Sequence, residues 1–126
     1  MKGLEFVFLA GGSVLGAFLR YKITESQILL NTIPLNVLIV NVIGAFILGM
    51  FIILSEQWNL DAKYSLFAAI GFCGSLTTMS SFALDSSNLL DNRHYIALSM
   101  NILLNIGLSI TALIGGKSLM SAIVNG

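Results

Sequence analysis

The chain has 126 residues, 56% of them hydrophobic and only 10% charged, and six Lys+Arg balance six Asp+Glu. Soluble domains average about 25% charged residues, so this composition excludes an ordinary soluble enzyme and a disordered chain, and zero net charge offers no field for nucleic acid. The single cysteine, Cys73, and single histidine, His94, exclude an internal disulfide framework, a CxxC site and a His-based metal centre.

The charged residues leave uncharged blocks at 6–19, 26–55, 64–84 and 94–116. A bilayer-spanning helix needs about 20 mostly apolar residues. The pattern predicts one domain over 1–126 with four transmembrane helices near 4–23, 33–54, 65–87 and 94–116, the residues after Lys117 continuing the last helix or fraying. The first block reads as a span and not as a signal peptide, because Glu5 joins Lys2 before it, Arg20 and Lys22 close it, and no A-x-A-like site follows.

The loop at 24–32 carries Glu25, the loop at 56–63 carries Trp58, suited to the headgroup level, and the third covers 86–93. Connections this short make neighbouring helices antiparallel and leave function to the membrane-embedded part. Lys2, Lys63 and Lys117 fall on one side of the bilayer, Arg20, Lys22 and Arg93 on the other. Three against three gives the positive-inside rule nothing to act on. Discounting a buried Arg20 leaves only a weak bias. The chain is expected to insert both ways and to form an antiparallel dimer.

Polar residues at membrane depth carry a free-energy cost and need a reason. Asn41 sits near the middle of the second helix, as a helix–helix staple or a pore donor. Asn101, Asn105 and Ser109 recur every four residues, one polar face along the fourth helix. Arg20 ends the first helix and either snorkels to headgroups or faces a vestibule that draws in anions. Gly12 and Gly16 form a GxxxG pattern for close packing. In the third helix Gly71, Gly74, Ser75, Thr77 and Thr78 crowd together, and the helix is expected to break around 74–78. A break at this depth is tolerated only where protein or a water-filled cavity covers it. It frees carbonyls that suit cations and N–H groups that suit anions. Just beyond it Met79 and Phe82 share a face, and a phenyl edge is weakly positive.

These residues resemble the Fluc (CrcB) fluoride channels of bacteria over nearly the whole chain. The resemblance rests on Gly11-Gly12-Ser13-Val14-Leu15-Gly16-Ala17-Phe18-Leu19-Arg20-Tyr21, on Val40-Asn41 with Gly44, and on the segment from Gly71 to Phe82, which is similar to the family's G-x-C-G-G-L-T-T-F-S-T-F. It implies an all-α membrane protein, a dual-topology antiparallel homodimer with two fluoride pores, in the bacterial cell (inner) membrane. It implies a structural sodium ion between the subunits, on the backbone carbonyls of Gly74 and Thr77. The pore residues it implies are Asn41, Met79, Ser80, Ser81, Phe82, Asn105 and Ser109, with Arg20 in the vestibule and Asp85 as the acid after the break. Met79 departs from the family's first pore phenylalanine, Ser75 from its second glycine, and Asn36-Val37 from its Gly-Thr. The change at Met79 leaves pairing with a paralogous subunit open.

The expected function is passive, fluoride-selective export, with protein donors replacing the ion's water and weak sites in series letting it leave. The alternative is a small four-helix proton-coupled multidrug exporter, which needs a titratable carboxylate near mid-membrane. Here Glu5, Glu25, Glu56, Asp61, Asp85 and Asp91 all fall at or near helix ends. A third possibility is an assembly subunit that transports nothing.

Overall fold

The structure is a computed structural model, and it describes residues 2–126. Helix α1 covers Lys2–Thr24. A two-stranded antiparallel hairpin follows, β1 at Leu29–Leu30 and β2 at Ile33–Pro34, with Leu30 opposite Ile33. Its turn uses Asn31 at φ 55, a left-handed conformation that asparagine tolerates better than most residues. Helix α2 covers Asn36–Trp58. The third span runs through Ala62–Asp91 in four pieces: α3 at Ala62–Ser65, a π-helical segment at Leu66–Cys73, α4 at Gly74–Leu76 and α5 at Met79–Asp91. Helix α6 covers Tyr95–Asn125.

All four spans are long and apolar enough to cross a membrane. The second starts later than the expected 33 because Ile33 and Pro34 pair in the hairpin, and Asn36 then opens the helix. Asn36 is 6% exposed. Its Oδ1 accepts the Ile28 N–H at 2.7 Å, and its Nδ2 donates to the carbonyls of Ile23 (2.8 Å) and Ser26. One buried amide therefore ties the end of α1 to the start of α2. The fourth helix continues through Lys117 to Asn125, so the residues after Lys117 extend it.

The turns are set by local chemistry. Asn59 closes α2 in the left-handed conformation, φ 49, with its N–H on the Ser55 carbonyl. Asp61 then caps α3 by accepting the Lys63 N–H at 3.1 Å. Arg93, φ 60, turns the chain from α5 into α6, and the His94 N–H reaches the Leu89 carbonyl at 2.9 Å. At this end Ile33, Leu89 and Ala97 form a small buried cluster.

The helices pack as two close pairs, α1 against the third span and α2 against α6. Gly12 and Gly16 explain the first. A methyl group on Gly12 would run into the Phe67 carbonyl, and one on Gly16 into the Phe72 carbonyl. The two glycines are four residues apart, yet the carbonyls they meet are five apart. A five-residue step falls on one face only in an i→i+5 ladder, which is the geometry of the π-helix. The π-helical segment thus matches the GxxxG face of α1. Val14, Phe18, Ile96, Leu103 and Ile123 point away from the protein, an apolar exterior suited to lipid.

Candidate functional site: a helix break held by asparagines

The third span breaks at two residues. Thr77 (φ −80, ψ 154) and Thr78 (φ −149, ψ 120) are both extended. This lies inside the expected 74–78 window, and the paired threonines account for it. Thr77 Oγ1 donates to the Cys73 carbonyl at 2.9 Å, and its N–H goes to the same oxygen at 3.0 Å, closing the upstream helix. Thr78 Oγ1 accepts the Ser81 N–H at 3.1 Å and caps α5. One hydroxyl stops a helix and the next starts another.

Three residues from other helices grip the break. Asn41, on α2, accepts the Thr78 N–H on Oδ1 at 2.8 Å. In an unbroken helix that N–H would go to the Gly74 carbonyl. Asn41 Nδ2 returns a long bond to the Thr78 carbonyl, 3.4 Å. Arg20 Nε donates to the Ser75 carbonyl at 2.9 Å, a charge-assisted bond to the end of a helix. Gly44, one turn after Asn41, makes room for the Thr77 γ-methyl, which a side chain on Gly44 would strike.

Behind Asn41 the polar contacts continue in one direction. Asn41 Nδ2 donates to Asn105 Oδ1 at 3.0 Å. Asn105 Nδ2 donates to both the carbonyl (3.0 Å) and Oδ1 (3.1 Å) of Asn101. Asn101 Nδ2 reaches Ser86 Oγ on α5 at 3.1 Å. Amide oxygens and nitrogens are alike in size, and only the network assigns them. Here backbone groups fix both ends: the Thr78 N–H can only donate and the Asn101 carbonyl can only accept. Every amide between them must face as described.

A cavity of about 420 Å³ lies beside the break. Asn41, Met79, Phe82, Asn105 and Ser109 line it, as do Gly74 and Thr77. Its walls are largely apolar, with few polar groups aimed inward. Ser109 Oγ is buried without a protein hydrogen-bond partner. Met79 is 73% exposed. Of the other residues expected at a pore, Ser80 is exposed and Ser81 half-buried, and neither lines this cavity. Arg20 stands outside it, on the Ser75 carbonyl. Among the described residues no carboxylate lines it. Sequence reasoning placed Thr78 in the break and Gly44 beside Asn41 without their contacts, and missed Ser86 altogether. The Thr-Thr pair was visible as an anomaly, but nothing in one dimension places Ser86 beside Asn101.

Comparison with known proteins gives this geometry a context. Residues 7–117 match the family described as "CrcB-like protein, Camphor Resistance (CrcB)". The chain is 81% identical over 125 residues to the fluoride-specific ion channel FluC of Nitrosopumilus maritimus (strain SCM1), covering 99% of both chains. It is 39% identical over 102 residues to the FluC of Methanococcus maripaludis, covering 81% of this chain and 84% of the relative. With the FluC of Sulfurihydrogenibium sp. (strain YO3AOP1) the identity is 38% over 115 residues, covering 89% and 93%.

Proposed function

The chain belongs to the CrcB family, and we infer from that membership and from the site that it is a passive, fluoride-selective ion channel. It is a multi-pass membrane protein, and the channel activity exports fluoride and lowers its toxicity. The observation that carries the reading is the broken third span, held open by Asn41 beside a cavity that no carboxylate among the described residues lines. A proton-coupled exporter needs a titratable acid at such a site; a halide needs neutral donors and no competing negative charge.

Fluoride must exchange its water for protein donors to enter. Ser109 Oγ supplies a buried hydroxyl without a hydrogen-bond partner among the described residues. Asn41 supplies the N–H now held by the 3.4 Å bond to Thr78, the weakest contact in its set. Phe82 supplies a ring edge, and Met79 a polarisable thioether with weakly positive hydrogens. Asn105 holds Asn41 in place. Ser80 and Ser81, outside the cavity of one chain, serve the approach to it. Arg20 places a permanent positive charge near the break, which raises the local anion concentration.

Two further features belong to the same reading. The balanced lysines and arginines and the exposed apolar helix faces support an antiparallel homodimer, in the cytoplasmic (inner) membrane. The carbonyls at the break support a structural sodium ion. The Gly74 carbonyl has lost its helical donor to Asn41, and Thr77 turns its carbonyl out of the helix. Backbone oxygens of this kind suit a hard cation, whose charge would hold the two broken helices together.

The test is efflux from proteoliposomes holding this chain alone, read with a fluoride electrode. Rapid fluoride loss with at least a hundredfold slower chloride loss is expected; equal leak of both ions, or none of either, overturns the reading.

A further inference from the structure

The directed row of amides ends on a residue that the transport reading leaves without a role. Asn101 is 2% exposed and among the most deeply buried side chains. It does not line the cavity. It nonetheless receives both hydrogens of Asn105 Nδ2, one on its carbonyl and one on its Oδ1. Its own Nδ2 is fixed by Ser86 Oγ at 3.1 Å. With both hydrogens of Asn105 committed to Asn101, Asn105 can turn only its oxygen toward Asn41. Asn41 must then turn its nitrogen toward Asn105 and its oxygen toward Thr78. The Asn101 end of the row therefore sets the same orientation that the Thr78 N–H sets from the break.

We propose that Asn101, anchored by Ser86, is the positioning residue of the site: with its carbonyl and Oδ1 it fixes which way the Asn105 amide faces, and so reinforces on Asn41 the orientation that holds the Thr78 N–H. Hydrogen bonds in a row polarise one another, so loss at one end weakens the grip at the other. The same contact joins α5 to α6, tying the downstream half of the broken span to the helix that carries the polar row. The proposal rests on the fluoride reading for its transport arm alone. Its structural arm concerns amide orientation and stands whatever ion passes.

The structural arm measures hydrogen exchange of the assigned side-chain amides of Asn41 and Asn105 by NMR, with the full chain in bicelles. Both are expected to exchange slowly in the unaltered protein and at least tenfold faster in Asn101→Leu, while backbone protection in α1 stays unchanged. Ser86→Ala keeps the Asn101 side chain and removes only its anchor. It is expected to give a smaller acceleration of the same two amides, and it carries the test if Asn101→Leu does not fold. Acceleration at Asn105 without any at Asn41, in either variant, overturns the proposal. The transport arm compares fluoride efflux in Asn101→Leu, Asn105→Leu and the double variant. Asn101→Leu should lower efflux at least tenfold, and the double variant should fall no further than Asn105→Leu. Independent, multiplying losses would overturn the relay. If the unaltered chain passes no fluoride, the channel reading fails, and the exchange measurement still decides the role of Asn101.

Discussion

Asn41 and Thr78 hold each other twice across 37 residues of sequence: the Thr78 N–H on Asn41 Oδ1 at 2.8 Å, and Asn41 Nδ2 on the Thr78 carbonyl at 3.4 Å. The first bond replaces the helical one that the break removes. The second is long enough to yield to another acceptor. Asn41→Leu keeps the volume and loses both. It leaves the Thr78 N–H without its partner, at about 1–3 kcal/mol, and fluoride efflux is expected to fall at least tenfold. Asn41→Asp keeps the first bond but brings negative charge to the cavity. It also sets a carboxylate oxygen against Asn105 Oδ1 and the Thr78 carbonyl, so efflux should fall as far and the unfolding temperature should drop as well.

Gly44 and Thr77 form the second pair to test. Gly44→Ala drives a methyl into the Thr77 γ-methyl. Overpacking of this kind costs about 1–3 kcal/mol, and here the strain falls on the break itself. Efflux should drop severalfold with a lower unfolding temperature. Thr77→Ser removes the offending methyl and keeps the hydroxyl on the Cys73 carbonyl, so Gly44→Ala with Thr77→Ser should recover most of both. A double variant no better than Gly44→Ala would show that the contact is not the cause.

Met79 is largely exposed on the single chain, so a larger side chain meets no obstacle within it. Met79→Phe replaces a thioether with a ring whose edge is positive. Fluoride efflux is expected to rise severalfold with chloride exclusion retained, read by paired ion-selective electrodes. An unchanged rate would mean that this position does not limit passage.

At Gly12 and Gly16 helix α1 seats against carbonyls, not against yielding side chains. Gly16→Val therefore forces backbone apart, and a loss of about 3 kcal/mol is expected, at the upper end for overpacked sites. Scanning fluorimetry in detergent should show a large fall in unfolding temperature. Gly107→Val, with open space around it, should leave it nearly unchanged.

Asn36→Ala removes three hydrogen bonds from a buried amide. At about 1 kcal/mol net for each bond, about 3 kcal/mol of stability is lost, concentrated in the hairpin. Limited proteolysis should then cut within 25–34 at a much higher rate, while the spans stay protected.

The residues themselves show why some of this was readable in advance. Four spans follow from where twelve charges fall, because hydrocarbon excludes charge and a helix must be about 20 residues long to cross it. The broken third span follows from Gly74, Thr77 and Thr78 standing together. The Gly12 and Gly16 packing face follows from a four-residue step. Asn41 and Asn105 were legible as anomalies, since a buried amide must find partners. Their partners were not legible.

Local composition and spacing alone thus determined the solvent, the number of spans, the place of the break and the polar residues that matter. Tertiary structure decided what those residues do. Only packing brings Ser86 to Asn101, Arg20 to the Ser75 carbonyl and Asn36 to the end of α1, and only the folded chain shows the π-helix over 66–73 against the glycines of α1. Burial cost belongs to each residue wherever it sits, so sequence records it. A hydrogen bond between helices depends on distances between atoms far apart in the chain, which only the folded backbone sets.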